Sequence, residues 1–114
     1  MENVDTALKT VLAPFDIDLE SNIYQGTAKK YIAYNYTTIP MDFGDDAPER
    51  ERYLIQVHIF APLNENINTL VRDIKSALFA ADFSWPESIN ASTADERHIV
   101  LETEAVVEIP YGEV

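Results

Sequence analysis

The sequence predicts an α+β fold in which a mainly antiparallel sheet is packed by two helices, in the order α-β-β-α-β-β. Two segments repeat apolar residues at helical spacing, four alternate apolar with polar residues, and turn-forming residues separate them. Strands with one apolar and one polar face are typical of an antiparallel sheet that has one side in water. At 114 residues, we expect positions 1–114 to form a single domain.

The helical pattern occurs near the N-terminus and again after the middle of the chain. Residues 3–13 form the first predicted helix, which Asn3 or Asp5 can cap and which Pro14 should end. The second helix follows Asn64 or Asn66, either of which can cap it. Its apolar stripe comprises Ile67, Leu70, Val71, Ile74, Leu78 and Ala81.

The alternating pattern predicts four strands, with a polar turn in "DIDLESNIYQG" before the first. The first two are "KYIAYNYTTI" and "RYLIQVHIFAP". The short "FSWPESINAS" contains Pro86 and suits an edge strand, and "RHIVLETEAVVEIP" is the long last strand. The residues predicted to share the core-facing sides of the first two strands are Ile32, Tyr34, Tyr36, Ile55, Val57 and Ile59.

The stretch "DFGDDAPERER" raises the question of a cation site, because it holds four carboxylates in eight positions. The spacing of a calcium-binding EF-hand loop is absent, and Arg50 and Arg52 would oppose cation binding. Residues 39–49 instead lie between two predicted strands, so we predict that they form a long connection. We therefore favour a solvated or partner-docking loop over a metal site. Its carboxylates are Asp42, Asp45, Asp46 and Glu49.

Composition excludes several function classes. Twenty acidic residues against 8 basic ones give a formal net charge of −12, which argues against binding a phosphate backbone. Tyrosines near the first two strands could stack on bases, but the basic surround that RNA-binding modules need is missing. The chain has no cysteine, and no apolar run approaches the roughly 20 residues that span a bilayer. We expect no membrane association and no sequence-specific nucleic-acid binding.

No convincing catalytic set emerges from the residue pattern. His58 and His98 lie on the wetter faces of two predicted strands, where Glu102 or Glu104 could join them in a two-histidine, one-carboxylate metal site. The stronger interpretation is two half-exposed histidines that make ordinary hydrogen bonds. The row Glu102, Glu104 and Glu108 could serve acid–base chemistry, but on an exposed strand it favours solubility. We predict no catalytic residue, no metal and no cofactor.

A series of patterned segments resembles the small tail-completion or head–tail joining proteins of tailed phages, found in prophages of Gram-positive bacteria. They are Tyr34-Asn35-Tyr36, the Asp45-Asp46 segment, "YLIQVHIFAP", a helix, "FSWP" and a late strand after His98, across residues 10–110. The resemblance implies an α/β fold that assembles, often as a ring, at a tail end or a head–tail junction. It also implies a location in the virion after synthesis in the bacterial cytoplasm, with no enzyme activity and no cofactor.

On this reading the chain self-associates and docks other tail or connector proteins. Asp and Arg side chains of the acidic segment would pair across a subunit boundary, and the glutamates of the last strand would face a lumen and repel DNA. The predicted contact residues are Asp42, Asp45, Asp46, Glu49, Arg50, Arg52, Tyr34 and Tyr36. Two alternatives stay open: a monomeric acidic binding module that mimics DNA or acts on a host protein, and a small metal-dependent enzyme.

Overall fold

The computed structural model describes residues 3–21, 26, 28–44 and 47–108, without the side chains of residues 42–49. Two α-helices, one short 3₁₀ turn and five strands follow one another along the chain. They are α1 (Val4–Leu12), the 3₁₀ turn (Ala13–Phe15), β1 (Asp18–Ser21), β2 (Tyr31–Gly44), β3 (Ala47–Ala61), α2 (Asn68–Ala80), β4 (Glu87–Asn90) and β5 (Arg97–Glu108). The α+β class and the two helices are confirmed.

The five strands form one mixed sheet in the order β1-β2-β3-β5-β4. The pairs β2–β3, β3–β5 and β4–β5 are antiparallel, whereas β1 pairs parallel with β2. The predicted order therefore lacked one strand, and the predicted turn before β2 is wrong at Asp18–Ser21. This segment is polar and mostly exposed, so its pairing with β2, rather than its own apolar pattern, makes it a strand.

The second correction concerns the connection between β2 and β3. The predicted loop at 39–49 is instead a continuation of both strands, with Ile39 opposite Arg52 and Gly44 opposite Ala47. Pro40 lies within β2, where the missing N–H of proline would disrupt a central strand. It is tolerated because, among the described residues, β1 covers the other side of β2 only as far as Tyr34, and no described strand pairs with Pro40 on that side.

Local side-chain chemistry defines the helix ends. Asn3 caps α1, because its Oδ1 accepts a hydrogen bond from the Thr6 N–H at 3.0 Å. The N-cap residue of α2 is Ile67, which makes no side-chain capping bond, so neither Asn64 nor Asn66 is the N-cap residue as predicted. From one position earlier, the Oδ1 of Asn66 accepts from the Asn68 N–H at 3.0 Å. The chain leaves α2 through Asp82, whose φ of 72° is a left-handed conformation that ends the helical path.

Both helices pack on the same face of the sheet, and the core lies between these two layers. The predicted core-facing positions of β2 and β3 are confirmed, apart from Tyr36, which is only partly buried. The fully buried core side chains include Leu8, Leu12, Ile32, Tyr34, Ile55, Val57, Ile59, Ile74, Leu78 and Leu101. In the described part of the chain, no helix covers the opposite side of the sheet, which we call the open face.

The molecule is elongated, with extents of 54 × 25 × 24 Å. Its radius of gyration is 15.7 Å, whereas a compact chain of this length would have about 13 Å. The β2–β3 pair contributes to this shape, because its pairing continues after β5 has ended at Glu108, opposite Arg50. Within the described residues, no helix is long and apolar enough to cross a membrane.

Candidate functional site

Strand register arranges the open face in rows that cross the sheet. Because side chains alternate along a strand, residues paired in register project on the same side. The first row is Tyr31–Phe60–His98, the second is Ala33–His58–Val100–Ile89, and the third is Asn35–Gln56–Glu102–Glu87. The face therefore changes from aromatic at one end to acidic and polar along its length.

A histidine pair lies at the junction of the first two rows. The Nδ1 of His58 lies 2.8 Å from the Nε2 of His98, and the side-chain amide nitrogen of Asn35 lies 3.2 Å from the Nε2 of His58. Since this amide can only donate, the proton of His58 belongs on Nδ1, and His58 donates to His98. The two rings thus form a directed hydrogen bond in which both are neutral.

Burial keeps this pair neutral. It lowers the pKa of His58 below the ordinary value of 6.5, and the neighbouring His98 lowers it further. Burial also lowers the pKa of His98, against an opposite effect of the nearby Glu96 carboxylate. Protonating both rings would place two like charges at a hydrogen-bonding distance, so the observed contact requires at least one neutral ring.

Stacked rings shield one side of the histidine pair. The centroids of Phe60 and His98 are 4.1 Å apart, and those of Tyr31 and Phe60 are 4.5 Å apart, with each pair of rings inclined by 18°. Such offset contacts stabilise beyond the area that they bury. This row could not be predicted from the sequence, because Tyr31, Phe60 and His98 come from three strands and only the register brings them together.

The alternative three-residue metal cluster is not formed. Glu102 lies in the third row, where it accepts a hydrogen bond from the Gln56 side-chain amide at 3.3 Å. The facing nitrogens of His58 and His98 are engaged with each other. Throughout the described part of the chain, no group of three or more His, Cys, Asp or Glu residues could hold a metal ion.

A shallow groove of about 680 Å³ lies along the polar rows of the open face. Its lining includes Asn35, Thr37, Arg52, Leu54, Gln56, Trp85, Glu87, Glu102 and Glu104. Within it, the Arg52 guanidinium lies 3.2 Å from the Glu104 carboxylate, and both side chains are close to half exposed. Arg52 thus pairs with Glu104 in the same chain, and the groove surface is predominantly acidic.

Two predicted contact residues turn out to tie α1 to the sheet. The hydroxyl groups of Tyr34 and Tyr36 donate to the two carboxylate oxygens of Asp5, at 2.9 and 2.8 Å. Tyr34 is 0% exposed, so its assignment to a contact surface is corrected: its ring belongs to the core. The hydrogen bond to Asp5, followed by burial, raises the pKa of Tyr36 to about 12. Burial, followed by the bond to Asp5, raises the pKa of Tyr34.

The remaining predicted contact residues belong to the β2–β3 hairpin. Asp45 and Asp46 lie outside the described residues, as do the side chains of Asp42 and Glu49. Arg50 is exposed and sits opposite Met41 on one side and Glu108 on the other. The assignment of this segment to a contact surface stays a prediction, now for a paired hairpin and not for a loop.

Comparisons with known proteins define the fold. No family model and no curated protein matches the chain, while 18 chains of solved structures match. One of these covers 96% of this chain and 96% of its own, with a TM-score of 0.63 at 10% sequence identity. That protein carries no functional description. The likeness therefore shows that this α+β architecture occurs in other proteins, and it shows the fold alone.

Proposed function

We propose that this protein is a non-enzymatic structural subunit of a tailed phage or prophage that acts in tail completion or head–tail joining. It would work through self-association, as a ring, and through docking to other virion proteins. The residue patterns that resemble this class support the proposal. The observation that carries it in the structure is the β2–β3 hairpin, which continues past its neighbouring strand.

We call residues 41–50 the hairpin arm. Beyond the Arg50–Glu108 pair, the described backbone of the arm pairs only between β2 and β3, because the described part of β1 ends opposite Tyr34 and that of β5 ends opposite Arg50. An isolated two-stranded ribbon is marginally stable in water at best. Packing against a neighbouring subunit would give the arm a third element, which the described part of its own chain does not supply. Contacts of this class bury roughly 800 Å² per partner, which an arm and a sheet edge can supply.

The charge distribution fits a subunit that lines a passage for DNA. Glu87, Glu102, Glu104 and Glu108 are exposed and project on the open face, where Arg52 pairs with Glu104. If this face lines the lumen of a ring, its negative potential would limit the sticking of DNA during passage. We place the protein in the virion, after synthesis in the bacterial host cytoplasm.

The first test is the mass in solution, measured by light scattering after size exclusion over a range of concentrations. The full chain should form a discrete oligomer. A variant in which Asn-Gly replaces residues 42–49 should remain monomeric, because the short turn closes the hairpin directly after the Met41–Arg50 pair. Its thermal midpoint should stay close to that of the full chain, since the arm lies outside the core.

Two charge variants refine this test. Replacing Asp45 and Asp46 by Ala should reduce assembly if these carboxylates pair with arginines of a neighbour. Replacing Asp73 and Asp95, which are exposed elsewhere, removes the same charge and serves as the control. An arm-shortened variant that assembles like the full chain would contradict the proposal. A full chain that is strictly monomeric at all concentrations would favour the monomeric acidic binding module.

A further inference from the structure

The outer edge of β5 is covered along only part of its length. β4 pairs with Ile99–Glu102, and beyond β4 the next residue of this edge, Glu104, is hydrogen-bonded by Ser84. The Ser84 N–H donates to the Glu104 carbonyl at 2.9 Å, and the Ser84 hydroxyl oxygen accepts from the Glu104 N–H at 2.8 Å. Before Ser84 the chain turns towards α2, so this covering ends at Glu104.

The backbone of the next residues faces the uncovered side. Alternate residues of an antiparallel strand direct their N–H and C=O groups to the same side, and those of Glu104 point away from β3. The same groups of Val106 therefore point outwards as well. In the part of the chain that the structure describes, no backbone or side-chain group hydrogen-bonds them. Within the described residues, the open strand edge therefore begins after Glu104 and comprises residues 105–108.

Exposed apolar side chains flank this edge. Phe79 is 58% exposed, Trp85 52% and Val106 42%. The rings of Phe79 and Trp85 pack edge to face with their centroids 5.6 Å apart, so the two form one apolar projection. A groove of about 640 Å³ runs beside them, lined by Phe79, Asp82, Phe83, Ser84, Glu104, Ala105 and Val106. The edge therefore offers a place for side chains as well as for a backbone.

Two of the usual protections of an edge strand, proline and lysine, are absent from the described part of β5 after Glu104. Proteins commonly blunt such edges with proline or lysine, as Pro40 does on the side of β2 where no described strand pairs with it. The β5 residues after Glu104 are "AVVE", which contain neither. Exposed apolar residues beside an unprotected edge are characteristic of a surface that receives a strand from a partner.

Charge distinguishes between the possible partners. Asp82, Glu104 and Glu108 flank the edge and are exposed, and Arg52 pairs with Glu104. A second copy of β5 would bring its own Glu104 and Glu108 against these carboxylates, in a chain with a net charge of −12. Like charges directly opposite one another are destabilising. An extended segment with lysine or arginine meets opposite charges instead.

We propose that the edge of β5 from Ala105 to Glu108 binds an extended, basic segment of a different protein as an added strand. The backbone of that segment bonds to Val106, an apolar side chain packs on Phe79 and Trp85, and basic side chains approach Asp82, Glu104 and Glu108. This surface lies apart from the hairpin arm and goes beyond self-association. It holds whether or not the chain assembles into rings.

The test uses a synthetic peptide in which lysine alternates with valine, titrated into the full-length protein. Trp85 is the only tryptophan of the chain, and its fluorescence responds to binding at this edge or in the acidic groove that it also lines. Phe79 lines only the groove beside the edge, so its substitution distinguishes the two places. We expect a saturable change in Trp85 emission. Phe79→Ser should weaken binding at least tenfold, whereas Leu63→Ser, which removes a side chain of similar character that is 41% exposed elsewhere, should leave it unchanged.

A second peptide separates strand addition from charge attraction. It has the same sequence, but all its backbone amides are N-methylated, so it keeps its charges and cannot donate backbone hydrogen bonds along either edge. Loss of binding by this peptide supports the proposal. Equal binding of both peptides, an unchanged affinity in Phe79→Ser, or peptide binding that leaves Trp85 emission unaltered would overturn it. A fall in oligomer mass in Phe79→Ser without peptide binding would assign the edge to a second copy instead, and would also overturn it.

Discussion

At the scale of single residues, Asp5 is the main polar link between α1 and the sheet. Its carboxylate accepts from Tyr34, which is fully buried, and from Tyr36, which is partly buried. Removing the carboxylate leaves a buried hydroxyl without that partner, and such a loss costs about 1–3 kcal/mol. This link could not be predicted from the sequence, because 29 and 31 positions separate the partners.

We therefore predict that Asp5→Ala lowers the free energy of unfolding by about 1–3 kcal/mol, as measured by urea denaturation. Asp73→Ala removes an exposed carboxylate from α2 and should have little effect. Tyrosinate absorbance gives a second measurement, in which the pKa of Tyr36 should fall from about 12 towards the ordinary 10.0. Equal unfolding free energies for the two variants would show that Asp5 does not stabilise the fold.

The histidine pair makes stability depend on pH. The folded pKa values of His58 and His98 lie below the 6.5 of an unperturbed histidine, so the unfolded chain binds more protons in mildly acidic solution. The stabilising contribution is therefore complete above about pH 6.5 and is lost as the pH falls through the folded pKa values. The Glu96 carboxylate opposes the lowering of the pKa at His98 but not at His58, so it reduces the pH dependence that His98 contributes.

We expect the thermal midpoint of the wild-type protein to fall more steeply between about pH 6.5 and 5 than that of His98→Gln. Carboxylates titrate mainly below this window, so the difference isolates the histidines. NMR titration of the imidazole protons measures both pKa values directly. Titration midpoints at or above 6.5 for both rings would contradict the prediction, as would parallel pH profiles of the two proteins.

At the scale of secondary-structure elements, the sequence predicts those helices and strands whose own residues show a regular apolar pattern. It does not predict those that form only through pairing with another strand. The apolar faces of β3 and β5 and the apolar stripe of α2 could be predicted, because alternation and helical spacing separate their apolar and polar residues. β1 was missed since its residues are polar and it forms only by pairing with β2. Pro40 and the acidic residues at the far end of the hairpin are typical of turns, so the sequence predicts a loop where the two strands in fact continue.

The candidate site shows the same limit. The sequence placed His58 and His98 on the wetter faces of their strands, and their approach was conceivable if those strands paired. The register decides the outcome: Phe60 lies opposite His98, and Gln56 lies opposite Glu102. The two histidines are thus close enough to bond, whereas Glu102 bonds to Gln56. Register depends on long-range pairing, which spacing along the chain does not reveal.

At the scale of the whole molecule, the net charge of −12 affects both proposed surfaces. It opposes self-association through the hairpin arm and favours binding of a basic segment at the edge of β5. Two copies of the chain repel each other, while a basic segment is attracted. The range of these forces is about 30 Å at 0.01 M salt and about 8 Å at 0.15 M. The shorter extents of the molecule are 25 and 24 Å, so repulsion reaches across a neighbouring subunit only at low salt.

We therefore predict that raising the salt concentration from about 0.01 to 0.15 M increases the oligomer mass measured by light scattering. The same change should weaken binding of the lysine–valine peptide, as reported by Trp85 fluorescence, because it screens the attraction. Opposite responses would show that two surfaces act independently. A decrease of both with salt would contradict the prediction, and it would mean that ion pairs of Arg50 and Arg52 with acidic residues of a neighbour outweigh the net repulsion between subunits.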